Sequence, residues 1–167
     1  RVLLLCTFLS QVAIAEDWPQ WRGPRGDGTS AETTTPTIWN AATGQNILWK
    51  TAIKGSGYSS PIVIGNSIFL TSCDEQSNQR LLMRIDHASG KLLWTRDVIE
   101  APLEGMHKLN SRASGTPVAD QQNVYVTFFQ TDDASGKNGT PGKMIVACYD
   151  HEGEQKWLVS VGAFSSV

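Results

Sequence analysis

Three observations predict an all-β chain of repeated four-stranded units, the blades of a β-propeller. The first is a gapless self-similarity at one constant offset. It carries Ser60-Pro61-Ile62-Val63-Ile64 and Ser67-Ile68-Phe69-Leu70-Thr71 onto Thr116-Pro117-Val118-Ala119-Asp120 and Asn123-Val124-Tyr125-Val126-Thr127. The second is a duplicated turn, in which Asp86 to Trp94 matches Asp150 to Trp157 with one residue fewer between Asp and Trp. The third is the lack of apolar i, i+3, i+4 spacing over any useful length, which argues against helices. Four short strands and one Trp in each repeat is the make-up of a propeller blade.

Each element has its own sequence logic. Ile62-Val63-Ile64 follows Pro61, and Val118-Ala119 follows Pro117. Each leads through a polar turn, Gly65-Asn66 or Gln121-Gln122, into a run of β-branched and aromatic residues. That predicts a hairpin in each unit. The next pair of strands is joined by the Asp-led turn, where the Asp86 or Asp150 carboxylate accepts turn N–H groups. Gly90 or Gly153 supplies the positive φ that closes it. Trp94 and Trp157 then fall at matching places on the outermost strand, and Trp49 sits in a partial third copy, Thr43 to Lys50, that lacks the Asp. An indole on an outer strand can slide between units, bury a large area and offer its N–H to a turn carbonyl. The Gly/Asp/Asn-rich stretch from Thr131 to Gly142 reads as a solvated loop between two strands.

The amino end has a different character. Arg1 is followed by an apolar run and by Ala13-Ile14-Ala15, ahead of the first acids, Glu16 and Asp17. A positive start, a short apolar stretch and an A-x-A site predict a secretory signal peptide over residues 1–15. The run is too short to span a bilayer, and the mature chain carries no transmembrane segment. Its removal takes away Arg1 and no acid, so the mature chain is one unit more negative than the −2 of the whole. Such a balance offers no basic stripe for nucleic acid. Export permits a disulfide between Cys73 and Cys148 without requiring one, and a free cysteine is equally at home in a core.

The stretch Asp86-His87-Ala88-Ser89-Gly90-Lys91-Leu92-Leu93-Trp94 resembles the tryptophan-docking repeat of the pyrroloquinoline-quinone (PQQ)-like β-propellers, Asp-x-x-Thr-Gly-Lys-x-x-Trp, with Ser89 for the Thr. The opening Asp17-Trp18-Pro19-Gln20-Trp21-Arg22-Gly23-Pro24 and the later Ala113-Ser114-Gly115-Thr116-Pro117-Val118 are similar to those of exported bacterial PQQ-like repeat proteins. The resemblance implies a structural role for Asp86, Gly90, Trp94, Asp150, Gly153 and Trp157. It also implies one of two occupations. Quinoprotein dehydrogenases of the family hold PQQ and Ca²⁺ on the propeller axis, whereas others, including an assembly factor of the outer membrane, bind proteins without a cofactor. The chain has no Cys-Cys dipeptide of the kind the dehydrogenases place over the quinone, and no Ca²⁺ ligand set can be assigned.

The expected organisation is a signal peptide at 1–15, an N-terminal extension at 16–46, and a partial propeller of about two blades at 47–167. With one hairpin opening at Ser60 and the next only at Thr116, the chain holds fewer than three blades, so it is expected to be the N-terminal piece of a longer ring. His87 and His151, next to the turn Asp residues, read as exposed turn positions without a second ligand at metal-binding spacing. His107, Asn110 and Arg112 precede the second hairpin, where entry loops gather on one face, and form the candidate binding surface. The resulting expectation is an exported, non-catalytic binding or scaffold module without an evident cofactor, engaging a protein or polysaccharide of the cell envelope. The alternative is a PQQ- and Ca²⁺-dependent dehydrogenase completed by residues beyond 167.

Overall fold

The computed structural model describes residues 16–166, so the leader expected at 1–15 lies outside the described residues. Two four-stranded antiparallel sheets follow one another, with strands in chain order: β1 (Ile62–Ile64), β2 (Ser67–Asp74), β3 (Gln79–Asp86) and β4 (Leu92–Glu100), then β5 (Val118–Ala119), β6 (Asn123–Gln130), β7 (Pro141–Asp150) and β8 (Gln155–Ser165). No helix occurs among the described residues. This is the incomplete propeller of four-stranded blades that the repeat predicts.

The repeat extends to irregularities of pairing. The β3–β4 ladder shifts register at Arg80/Leu81 and Arg84/Ile85, and the β7–β8 ladder shifts at Met144/Ile145 and Cys148/Tyr149. The offset that carries Asp86 onto Asp150 also carries Arg80 onto Met144 and Arg84 onto Cys148. Such shifts bend a strand and increase its twist, so both blades are bent at equivalent points.

The alternating residues of the two sheets meet in one core. Phe69 and Cys73 of β2, Leu82 of β3, and Val98 and Ile99 of β4 pack with Val124, Val126 and Phe128 of β6 and Ile145, Ala147 and Tyr149 of β7. Cys73 and Cys148 are buried free thiols in different sheets, and desolvation raises both above the ordinary thiol range. The extension reaches both sheets: Trp18 pairs with Val63 of β1, and the Pro19 carbonyl accepts Ala119 N–H of β5 at 2.9 Å.

Candidate functional site

Contacts between the blades fix the geometry of the rest. Asp86 closes its turn by accepting Ser89 N–H at 2.8 Å, the Ser89 hydroxyl and Asn66 Nδ2. The Ser89 bonds chiefly hold its carboxyl below the usual range. Asp150 accepts Glu154 N–H at 2.8 Å and pairs with Lys156 Nζ at 2.8 Å, and Lys156 is the main cause of its lowered pKa. Gly90 and Gly153 take φ of 71° and 84°.

Trp49 lies against Gly90, in the space a Cβ would need, and its Nε1–H donates to the His87 carbonyl at 3.0 Å. Trp94 Nε1–H donates to the His151 carbonyl at 3.0 Å in the same way, but Arg96 rather than the indole fills the space beside Gly153. Arg96 Nε donates to the Gly153 carbonyl at 2.7 Å, and its guanidinium lies 5.1 Å from the Trp94 ring centroid. Arg84 joins the same seam, donating to the His151 carbonyl at 2.7 Å and pairing with Glu152 at 2.8 Å. Trp157 packs 6.1 Å from Tyr125, as Trp94 does 5.9 Å from Phe69.

His151 departs from the sequence expectation of an exposed turn residue. It is half-buried, its ring is 5.2 Å from Phe69, and Nε2 lies 3.0 Å from the Asp120 carbonyl. The second sheet brings this turn against the first, whereas the equivalent His87 stays exposed.

The candidate site is a cleft of about 350 Å³ between the crossover from β4 to β5 and the far ends of β6, β7 and β8. Met106, Phe129, Met144 and Phe164 supply apolar walls; Asn110, Ser111, Arg112 and Ser114 supply the polar rim. Of the three residues expected on a binding face, Asn110 and Arg112 line this cleft. His107 stands exposed on the same crossover, outside the lining, with Nδ1 accepting Leu109 N–H at 3.2 Å.

Arg112 is anchored rather than free. Its Nε and Nη2 donate to the Glu104 carbonyl at 3.0 and 2.8 Å, and Nη1 pairs with Glu75 at 2.7 Å. Glu104 in turn pairs with Arg80, whose guanidinium is fully buried and also donates to the carbonyls of Ala101 and Pro102 at 2.7 and 3.1 Å. Two arginines therefore hold the crossover by its carbonyl groups. Sequence reasoning misses the apolar walls: Phe129 and Met144 stand in β6 and β7, but their convergence depends on how the crossover folds back.

Among the described residues, no group of three His, Cys, Asp or Glu side chains is arranged to hold a metal. The cleft offers hydrophobic surface and hydrogen-bonding groups, the chemistry of binding.

The family model described as "Outer membrane protein assembly factor BamB", a PQQ repeat, matches residues 28–163, a span that takes in both sheets except the last two residues of β8. The chain belongs to the PQQ-repeat family. No curated protein matches this PQQ-repeat protein. Among its described residues, no helix is long and apolar enough to cross a membrane.

Proposed function

We propose that this PQQ-repeat protein is an exported, non-catalytic binding module of the bacterial cell envelope that engages a protein partner through the β4–β5 crossover cleft. The observation that carries the reading is the combination of an apolar wall, Met106, Phe129, Met144 and Phe164, with a rim whose arginine is already committed to the protein itself. Aromatic and Met surface suits protein recognition better than the hydroxyl-rich face of a polysaccharide. The name of the matching family, an outer-membrane assembly factor, supports a protein partner in the envelope. In this reading residues 1–15 are the leader, residues 16–46 an extension, and residues 47–167 the blades, with Trp49, Trp94 and Trp157 docking one unit on the next.

Site-specific photocrosslinking from Asn110 in living cells tests the reading. An envelope protein joined at Asn110, and lost when Met144→Glu places a charge on the cleft wall, is the expected result. No adduct at Asn110, or an adduct indifferent to Met144→Glu, overturns the cleft. Dye-linked alcohol or sugar oxidation after addition of PQQ and Ca²⁺ to the protein overturns the non-catalytic assignment.

A further inference from the structure

Glu16 is the hub of a closed loop. Its carboxylate receives Arg25 Nη1 at 2.5 Å and Nη2 at 3.0 Å, and also Ala31 N–H at 3.1 Å. Its main-chain nitrogen points the other way and donates to Glu32 Oε1 at 2.9 Å. Arg25 further donates to the Thr29 carbonyl at 2.7 Å, tying the loop from inside.

The three residues after this hub bind the two sheets in succession. Asp17 Oδ1 accepts Gly65 N–H at 2.7 Å, Trp18 exchanges two backbone hydrogen bonds with Val63 at 2.7 and 3.0 Å, and Pro19 accepts from Ala119. Immediately before the hub the sequence reads Ala13-Ile14-Ala15.

We propose that the chain is processed between Ala15 and Glu16 and that the α-ammonium group released on Glu16 is received by the Glu32 carboxylate. The proposal rests on the export reading. A leader peptidase would hydrolyse the Ala15–Glu16 amide with one water, leaving a carboxylate on Ala15 and an amine on Glu16. That amine takes up a proton at neutral pH.

One neutral N–H donor then becomes three donors bearing a charge, already directed at a carboxylate oxygen. Charge-assisted bonds of this kind are stronger than neutral ones. The charged groups around the new terminus are Glu32, the Glu16 carboxylate, Arg25, Asp17 and Asp27. Arg25 is occupied by the Glu16 carboxylate, and Asp17 by Gly65. Glu32 is thus the carboxylate placed for the ammonium, and the pair fixes the register in which Asp17, Trp18 and Pro19 meet the sheets.

The test uses the chain secreted with its own residues 1–15 behind an initiator Met. Mass analysis of the purified product is expected to place its first residue at Glu16. The α-amine should be labelled by an amine-reactive reagent near neutral pH about 2- to 5-fold more slowly than in Glu32→Gln, the range for an exposed ion pair. Hydrogen exchange at Val63 and Ala119 should accelerate in Glu32→Gln. A retained leader, or a terminus at another residue, overturns the processing site. Equal labelling of the two proteins overturns the role of Glu32. Export with a different terminus would leave the envelope reading standing while this proposal fell, so the two failures are distinguishable.

Discussion

Gly90 shows what a single side chain would undo. It takes a φ of 71°, and a Cβ there would overlap the Trp49 ring. Gly90→Ala should therefore lower stability by about 1–3 kcal/mol in urea titration, through backbone strain and displacement of the indole. Glu16 is lowered from 4.5 to about 2, chiefly by the Arg25 bonds, and Asp74 from 3.8 to about 2 by the Ser77 hydroxyl and then Lys54. Folded values below the unfolded ones mean stabilisation that is complete above the unfolded pKa and lost as pH falls through the folded one. Thermal midpoints should thus fall between about pH 5 and pH 2, and Glu16→Gln should flatten part of that slope. The turn Asp and Gly residues were legible because their roles are local. Arg84 and Arg96 were not, because their partners lie in a turn near residue 152, on the other sheet.

At the level of elements, the two units differ chiefly in one loop. One offset carries β2 onto β6, Ser67 onto Asn123 and Asp74 onto Gln130, and a longer one carries the end of β3 onto the end of β7, Asp86 onto Asp150. The added residues therefore fall between Gln130 and Lys143, most of them in the loop that ends at Pro141. Composition identified this stretch as a solvated loop, and most of it is exposed. Its other property was hidden: Gly105 of the crossover lies directly against the backbone of Lys137 and Asn138, which brings the loop alongside the cleft. Close packing of two irregular segments leaves no periodic trace in a sequence. Crossover stability rests on the Arg80–Glu104 pair, with side chains 0% and 9% exposed. Removing one partner strands a buried charge, so Glu104→Ala should cost about 3–5 kcal/mol by chemical denaturation. Arg80→Met combined with Glu104→Leu should be less damaging than Glu104→Ala, because an apolar pair leaves no stranded charge.

For the molecule as a whole, the seam between the sheets is carried by Trp94, Arg84 and Arg96. Trp94→Phe keeps a ring against Phe69 but removes the N–H bond to His151. It should destabilise the protein by about 1 kcal/mol, measured by thermal or urea unfolding. The pattern of four strands per unit was readable because alternation and turn chemistry repeat, whereas the pairing of Trp18 and Pro19 with the sheets was not, since backbone pairing of this kind is independent of side-chain pattern. Beyond the seam, β8 exposes Val159, Val161 and Phe164, while the matching part of β4 buries Val98 and Ile99 under the second sheet.

The contacts of residues 17–19 also bear on the timing of folding. Asp17 and Trp18 find their partners at Gly65 and Val63, but Pro19 must wait for Ala119, made much later in synthesis. Contacts that distant are slow to form and are rewarded only after the intervening chain has been ordered. The first of the described residues to be made are therefore among the last to be fully seated, and a ribosome must deliver both β1 and β5 before that end of the chain is closed.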